Sequence, residues 1–78
     1  MSDKAQQLDF TTRDCVRFYL DALGEHKSVA GLHAILIGVC ERALISEVLD
    51  NTGGNLSKAA DILGMSRGTL RKKIKSFK

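Results

Sequence analysis

Gly64-Met65-Ser66-Arg67-Gly68-Thr69-Leu70-Arg71-Lys72-Lys73-Ile74-Lys75 decides the fold, because it holds the end of one helix, a turn and the start of another. Without a Cβ, Gly64 can take the left-handed conformation that closes a helix. Ser66 follows two residues later, and its hydroxyl can accept the backbone N–H of Gly68 or Thr69 and cap a second helix. On that helix Leu70, Ile74 and Phe77 recur at i, i+4 and i+7 as a stripe to be buried, while Arg67, Arg71, Lys72 and Lys75 lie off it. Helix-turn-helix proteins use this arrangement to lay a recognition helix in the major groove of double-stranded DNA, with cations near its start facing base edges and phosphates.

The charge distribution agrees. Six of the last twelve residues, Arg67 to Lys78, are Lys or Arg and none is acidic. Residues 1–50 hold five Lys/Arg against eight Asp/Glu, net −3, whereas residues 51–78 hold seven against one, net +6. An acidic front and a basic rear suit a chain whose C-terminal end meets a polyanion. A helical adaptor docking its last helix on an acidic protein would share the basic face. It would not require two arginines one turn apart behind a glycine turn, so DNA is the expected partner.

The chain has 78 residues, is 44% apolar and contains no proline, which fits one small all-α domain near the size where a single core barely suffices. Dimerisation is the expected supplement. Cys15 and Cys40 are expected to stay reduced as small buried apolar residues, since no signal peptide is evident. No apolar run approaches the roughly 18 residues of a membrane span, so a soluble, cytoplasmic protein without a membrane partner is expected.

Working back from the turn, Asn55 caps a third helix, Leu56 to Leu63, whose Ala59, Ala60, Ile62 and Leu63 suit tight packing on the last. The second helix is expected from after Ser28 to about Asp50, ending in Asn51-Thr52-Gly53-Gly54. Leu32, Ile35, Leu36, Val39, Ala43, Leu44, Val48 and Leu49 form its stripe, widened by Ile37, Cys40 and Ile45. Gly31 and Gly38 are read as interior positions, either sites of close helix crossing or simply tolerated. The first helix is expected to run from a capping box at Thr11 and Asp14, with Phe10 stapled onto Cys15, to Gly24, presenting Val16, Tyr19, Leu20 and Leu23. The simplest burial of these stripes is a two-fold dimer of intertwined first and second helices, with Val16, Leu20, Leu32, Leu36, Val39 and Ala43 in its core. The expected organisation is a flexible segment 1–10, a dimerisation region 11–52 and a helix-turn-helix region 53–78.

Gly54-Asn55, Ala59-Ala60, Leu63-Gly64 and the run Arg67 to Lys75 resemble the C-terminal half of Fis, the factor for inversion stimulation, a bacterial nucleoid-associated family that bends DNA and regulates transcription. The resemblance covers residues 53–77 by motif and 11–78 by architecture. A similar motif closes the nitrogen-regulatory enhancer-binding activators, behind a large ATPase domain for which these residues leave no room. The resemblance implies that Arg67 is the main guanine contact and that Arg71 reaches bases or nearby phosphates. The chemistry is apt, since a guanidinium can donate two parallel hydrogen bonds to guanine O6 and N7. The resemblance also implies phosphate contacts for Asn55, Ser57, Thr69 and Lys72. Lys73 and Lys75 are either further phosphate contacts or solvated. Ser66 stands where the family commonly has Asn and is read as a cap; Gly53 stands where it is often basic. Nothing ahead of the first helix signals the family's β-hairpin arm, so recombinase activation is not expected.

Catalysis is not expected. His26, His33, Cys15 and Cys40 show no CxxC or HxxxH spacing, no phosphate-cradling loop is present, and the carboxylates are scattered singly. No cofactor, metal or small-molecule substrate is implied.

Overall fold

The computed structural model describes residues 2–23 and 31–77. Four α-helices follow in order: α1 (Ser2–Leu23), α2 (Leu32–Asn51), α3 (Leu56–Leu63) and α4 (Arg67–Ser76), with no strand among the described residues. The fold is therefore all-α with four helices, as expected. Helix α1 stands as one unit and helices α2 to α4 as another.

Helix α1 starts at Ser2, so the expected helix start at the capping box of Thr11 and Asp14 is corrected. Residues Lys4, Ala5, Gln6, Gln7 and Leu8 are good helix formers and no glycine or proline interrupts them. A helix that meets no breaker continues through a potential start signal. The Thr12 hydroxyl donates back to the Leu8 carbonyl at 2.7 Å, a mid-helix bond and not a cap. One residue on, Arg13 Nε donates to Asp9 Oδ1 at 2.6 Å, and the hydrogen bond first and the opposite charge second raise the Arg13 pKa further.

The second unit is built around α2. Its C-terminal end closes by a paired motif in which Gly54 N–H donates to the Leu49 carbonyl (2.8 Å) and Gly53 N–H to the Asp50 carbonyl (3.2 Å). The motif needs a left-handed residue, and Gly53 supplies it with φ +65. Helix α3 then starts at Asn55, whose side-chain oxygen accepts the Lys58 N–H at 3.0 Å. It ends the same way α2 does: Gly64 (φ +75) donates to Asp61 and Met65 donates to Ala60. Ser66 caps α4 by accepting the Thr69 N–H at 3.1 Å.

Ile45 of α2, Ala59 and Ala60 of α3 and Leu70 of α4 are buried together, with Val48, Leu49, Leu56, Leu63, Met65, Ile74 and Phe77 packed around them. The two alanines bring α3 close enough for Leu70 and Ile45 to be wholly enclosed, and full burial of such side chains stabilises by about 1.5–3 kcal/mol each. Ile45, read from the sequence as the margin of a stripe, is thus the centre of the core.

Other expectations are corrected here. Gly31 precedes α2 at φ +95 and is not an interior crossing point, while a side chain at Gly38 would meet nothing within 4 Å of the single chain. Cys15 and Cys40, expected to be buried, are exposed. The expected cap at Ser28 and the stop at Gly24 lie outside the described residues, as does His26.

Candidate nucleic-acid interface

The caps at Asn55, Gly64 and Ser66 fix where α4 begins and how it leaves α3. With Leu70 enclosed and Ile74 and Phe77 half-buried, the rotation of α4 about its axis is also fixed. The opposite face is left to solvent, and it carries Arg67, Gly68, Arg71, Lys72 and Lys75, all exposed. Arg71, Lys72 and Lys75 gather with Gly68 and Ile74 around an open concavity of about 360 Å³. A Cβ at Gly68 would meet only the Ser66 hydroxyl oxygen, at 4.0 Å.

Arg67 lies at the other end of this face, on the first turn of α4. Its Nη1 donates to the Ser57 hydroxyl at 3.5 Å, which joins the start of the last helix to the start of α3. Asn55 and Ser57 therefore stand with Arg67 at an end where free backbone N–H groups and the helix dipole favour an anion. Thr69 also belongs to the α4 cap, its Oγ1 accepting from the Ser66 hydroxyl at 3.0 Å. Seven of the expected residues, Asn55, Ser57, Arg67, Thr69, Arg71, Lys72 and Lys75, thus sit on exposed positions of α4 and the α3 start.

Lys73 does not. It is half-buried against α2, where its Nζ lies 3.0 Å from Glu41 Oε2. At 100° per residue it stands about 160° around the helix from both Arg71 and Lys75, and in the free protein it is paired with Glu41 and not gathered with them. Next to Glu41, Arg42 Nη2 donates to the Phe77 carbonyl at 3.1 Å and its guanidinium lies 5.3 Å from the centre of the Phe77 ring. Neither α2 residue stood out in the sequence: both partners are more than 30 positions away, and no local pattern connects them.

The residues expected in a dimer core are distributed along both remaining helices. Val16, Leu32 and Leu36 are half-buried, while Leu20, Val39 and Ala43 are exposed. Ile35, Ile37 and Leu44 on α2 and Phe18 on α1 are likewise at least half exposed. No cluster of three or more His, Cys, Asp or Glu side chains able to hold a metal occurs among the described residues, and none of their helices is long and apolar enough to cross a membrane.

A short capped helix, a glycine-closed turn and a seated second helix whose outer face is cationic place the chain in the helix-turn-helix class. Comparison with known proteins is more specific. Residues 37–77 match the family described as Bacterial regulatory protein, Fis family, and the chain belongs to that family. It is 35% identical over 81 aligned residues to the DNA-binding protein Fis of Glaesserella parasuis serovar 5 (strain SH0165), covering 99% of this chain and 82% of the relative. It is 37% identical over 51 residues to the DNA-binding protein Fis of Aliivibrio fischeri (strain MJ11), 65% of this chain and 52% of that one. With the protein of the same name from Haemophilus influenzae (strain PittEE), identity is 33% over 67 residues, covering 86% and 67%.

Proposed function

We propose that this protein is a homodimeric DNA-binding regulator of the bacterial nucleoid that bends the duplex it binds. The observation that carries the reading is the exposed cationic face of α4, held in a fixed rotation by the burial of Leu70. The relatives named DNA-binding protein Fis support it. Arg67 and Arg71 read base edges, because a guanidinium offers the bidentate donor pair that guanine accepts in the major groove. Asn55, Ser57, Thr69, Lys72 and Lys75 meet phosphates and set the register without reading sequence. Ser57 orients Arg67 before DNA arrives.

Dimerisation supplies the second half-site. The exposed Leu20, Ile35, Ile37, Val39 and Leu44 are more apolar surface than a small monomer leaves in water, and a second copy covers it. Bending follows when two recognition helices sit closer than the roughly 34 Å that separates successive major grooves on one face of straight B-DNA. Curving a 20–30 base-pair site costs about 1–6 kcal/mol, offset by added phosphate contacts.

Electrophoretic mobility shifts on AT-rich and random duplexes test binding, and circular permutation of the site tests bending. The proposal expects salt-dependent retardation that varies with site position. No retardation at low salt would reject DNA binding, and mobility independent of site position would reject bending alone.

A further inference from the structure

We propose that Glu41 of α2 is a specificity-determining residue that withholds one cation of the recognition helix from the DNA backbone. The inference rests on the DNA-binding reading above. Lys73 Nζ is 3.0 Å from Glu41 Oε2, and the two side chains are only 35% and 32% exposed. Helix register places Lys73 on the side of α4 that faces α2, and the pair holds its ammonium group there, away from the face carrying Arg67, Arg71, Lys72 and Lys75. Phosphate contacts carry no sequence information, so every cation kept off the backbone leaves a larger share of the binding free energy to base contacts.

The neighbouring contact makes this a separable function. Arg42 holds the end of α4 by its bond to the Phe77 carbonyl and its place over the Phe77 ring. Lys73 and Phe77 are one turn apart, so α2 grips two successive turns through adjacent residues. Neutralising Glu41 frees Lys73 while Arg42, Ile74 and Leu70 keep the helix seated. A half-exposed ion pair of this kind contributes little to stability. Its effect on binding is larger, because each phosphate neutralised makes the slope of log affinity against log salt about 0.9 more negative. A freed lysine has a flexible four-carbon stem with which to reach a phosphate flanking the groove.

The test measures affinity of the full chain for a random-sequence duplex across a salt series by fluorescence anisotropy. Glu41→Gln is compared with Glu47→Gln, which removes the same charge from an exposed residue of α2 that pairs with no cation among the described residues. Glu41→Gln is expected to bind several-fold more tightly than Glu47→Gln, with a slope about 0.9 more negative per protomer. Lys73→Gln is expected to keep the wild-type slope, whereas Lys72→Gln makes it shallower, and the double variant Glu41→Gln/Lys73→Gln returns to wild type. Equal slopes for Glu41→Gln and Glu47→Gln would overturn the inference, as would a Lys73→Gln slope as shallow as that of Lys72→Gln. The Lys73→Gln comparison decides alone if Glu41→Gln fails to fold. A wild-type protein without salt-dependent duplex binding overturns the DNA-binding reading and this inference together; binding with either failure above overturns the inference only.

Discussion

Replacing Leu70 with Ala removes the side chain through which the recognition helix is seated. Leu70 is 0% exposed and meets Ile45 of α2 and the two alanines of α3. Ala59 and Ala60 have no side chain that can swing into the vacated space, and Ile45 is held by its own helix, so the cavity stays largely open. Leu→Ala changes in such sites cost about 2–5 kcal/mol, and poor collapse places this one at about 3–4. A core of this size supplies only about 3–5 kcal/mol in total, so most of the margin disappears and a measurable fraction of the helix-turn-helix is unfolded. Ile62→Ala is the control: Ile62, expected from the sequence to pack on the last helix, is instead 62% exposed on α3, and the expected cost is under about 0.5 kcal/mol. Urea unfolding of the full chain, followed by circular dichroism at matched protein concentrations, gives both values, concentration being fixed because self-association adds to apparent stability. A Leu70→Ala cost below about 1 kcal/mol, or one equal to that of Ile62→Ala, would refute the seating described here.

Three further outcomes are expected. Ser66→Ala leaves the Thr69 N–H without its partner and should lower stability by about 1 kcal/mol, while Ser66→Asn, an equally good cap, should be nearly neutral; the same urea titration decides. Val39→Asp puts a carboxylate on the exposed apolar face of α2 and should convert dimer to monomer in sedimentation equilibrium, because burying an unpaired charge is strongly unfavourable. Arg67→Ala should abolish preference for duplexes carrying guanine at the contacted position, about 1–3 kcal/mol of discrimination, whereas Lys72→Ala should weaken all duplexes alike in a salt-series binding assay.

The C-terminal half was legible because its punctuation is local. Asn55, Gly64 and Ser66 each act on groups within five positions along the chain, so the residue types alone locate α3, the turn and α4. The start of α1 was misread for the converse reason: Thr11 and Asp14 spell a beginning, but nothing in residues 2–10 ends a helix already under way. Ile45 illustrates a third case. Periodicity showed that α2 is apolar over most of its circumference, and only packing of α3 and α4 selected which apolar residue became the centre. The pairing of Lys73 with Glu41 and of Arg42 with Phe77 depends on that packing, and charge counting alone placed Lys73 with the free cations.

Helix α2 runs unbroken from Leu32 to Asn51 through Gly38, and that continuity makes it a lever. In the proposed dimer its exposed middle, near Val39, is the fulcrum, and Leu49, seated under the helix-turn-helix, is the far end of the arm, ten residues or about 15 Å away. Swinging such an arm by about 13° moves its tip roughly 3.4 Å, the rise along the duplex axis per phosphate of one strand. A change at the fulcrum that swung the arm by this angle, with no atom near the duplex, would shift each reading head by about one base step. The spacing of half-sites that such a protein prefers is a quantity that mutation can tune from the middle of α2.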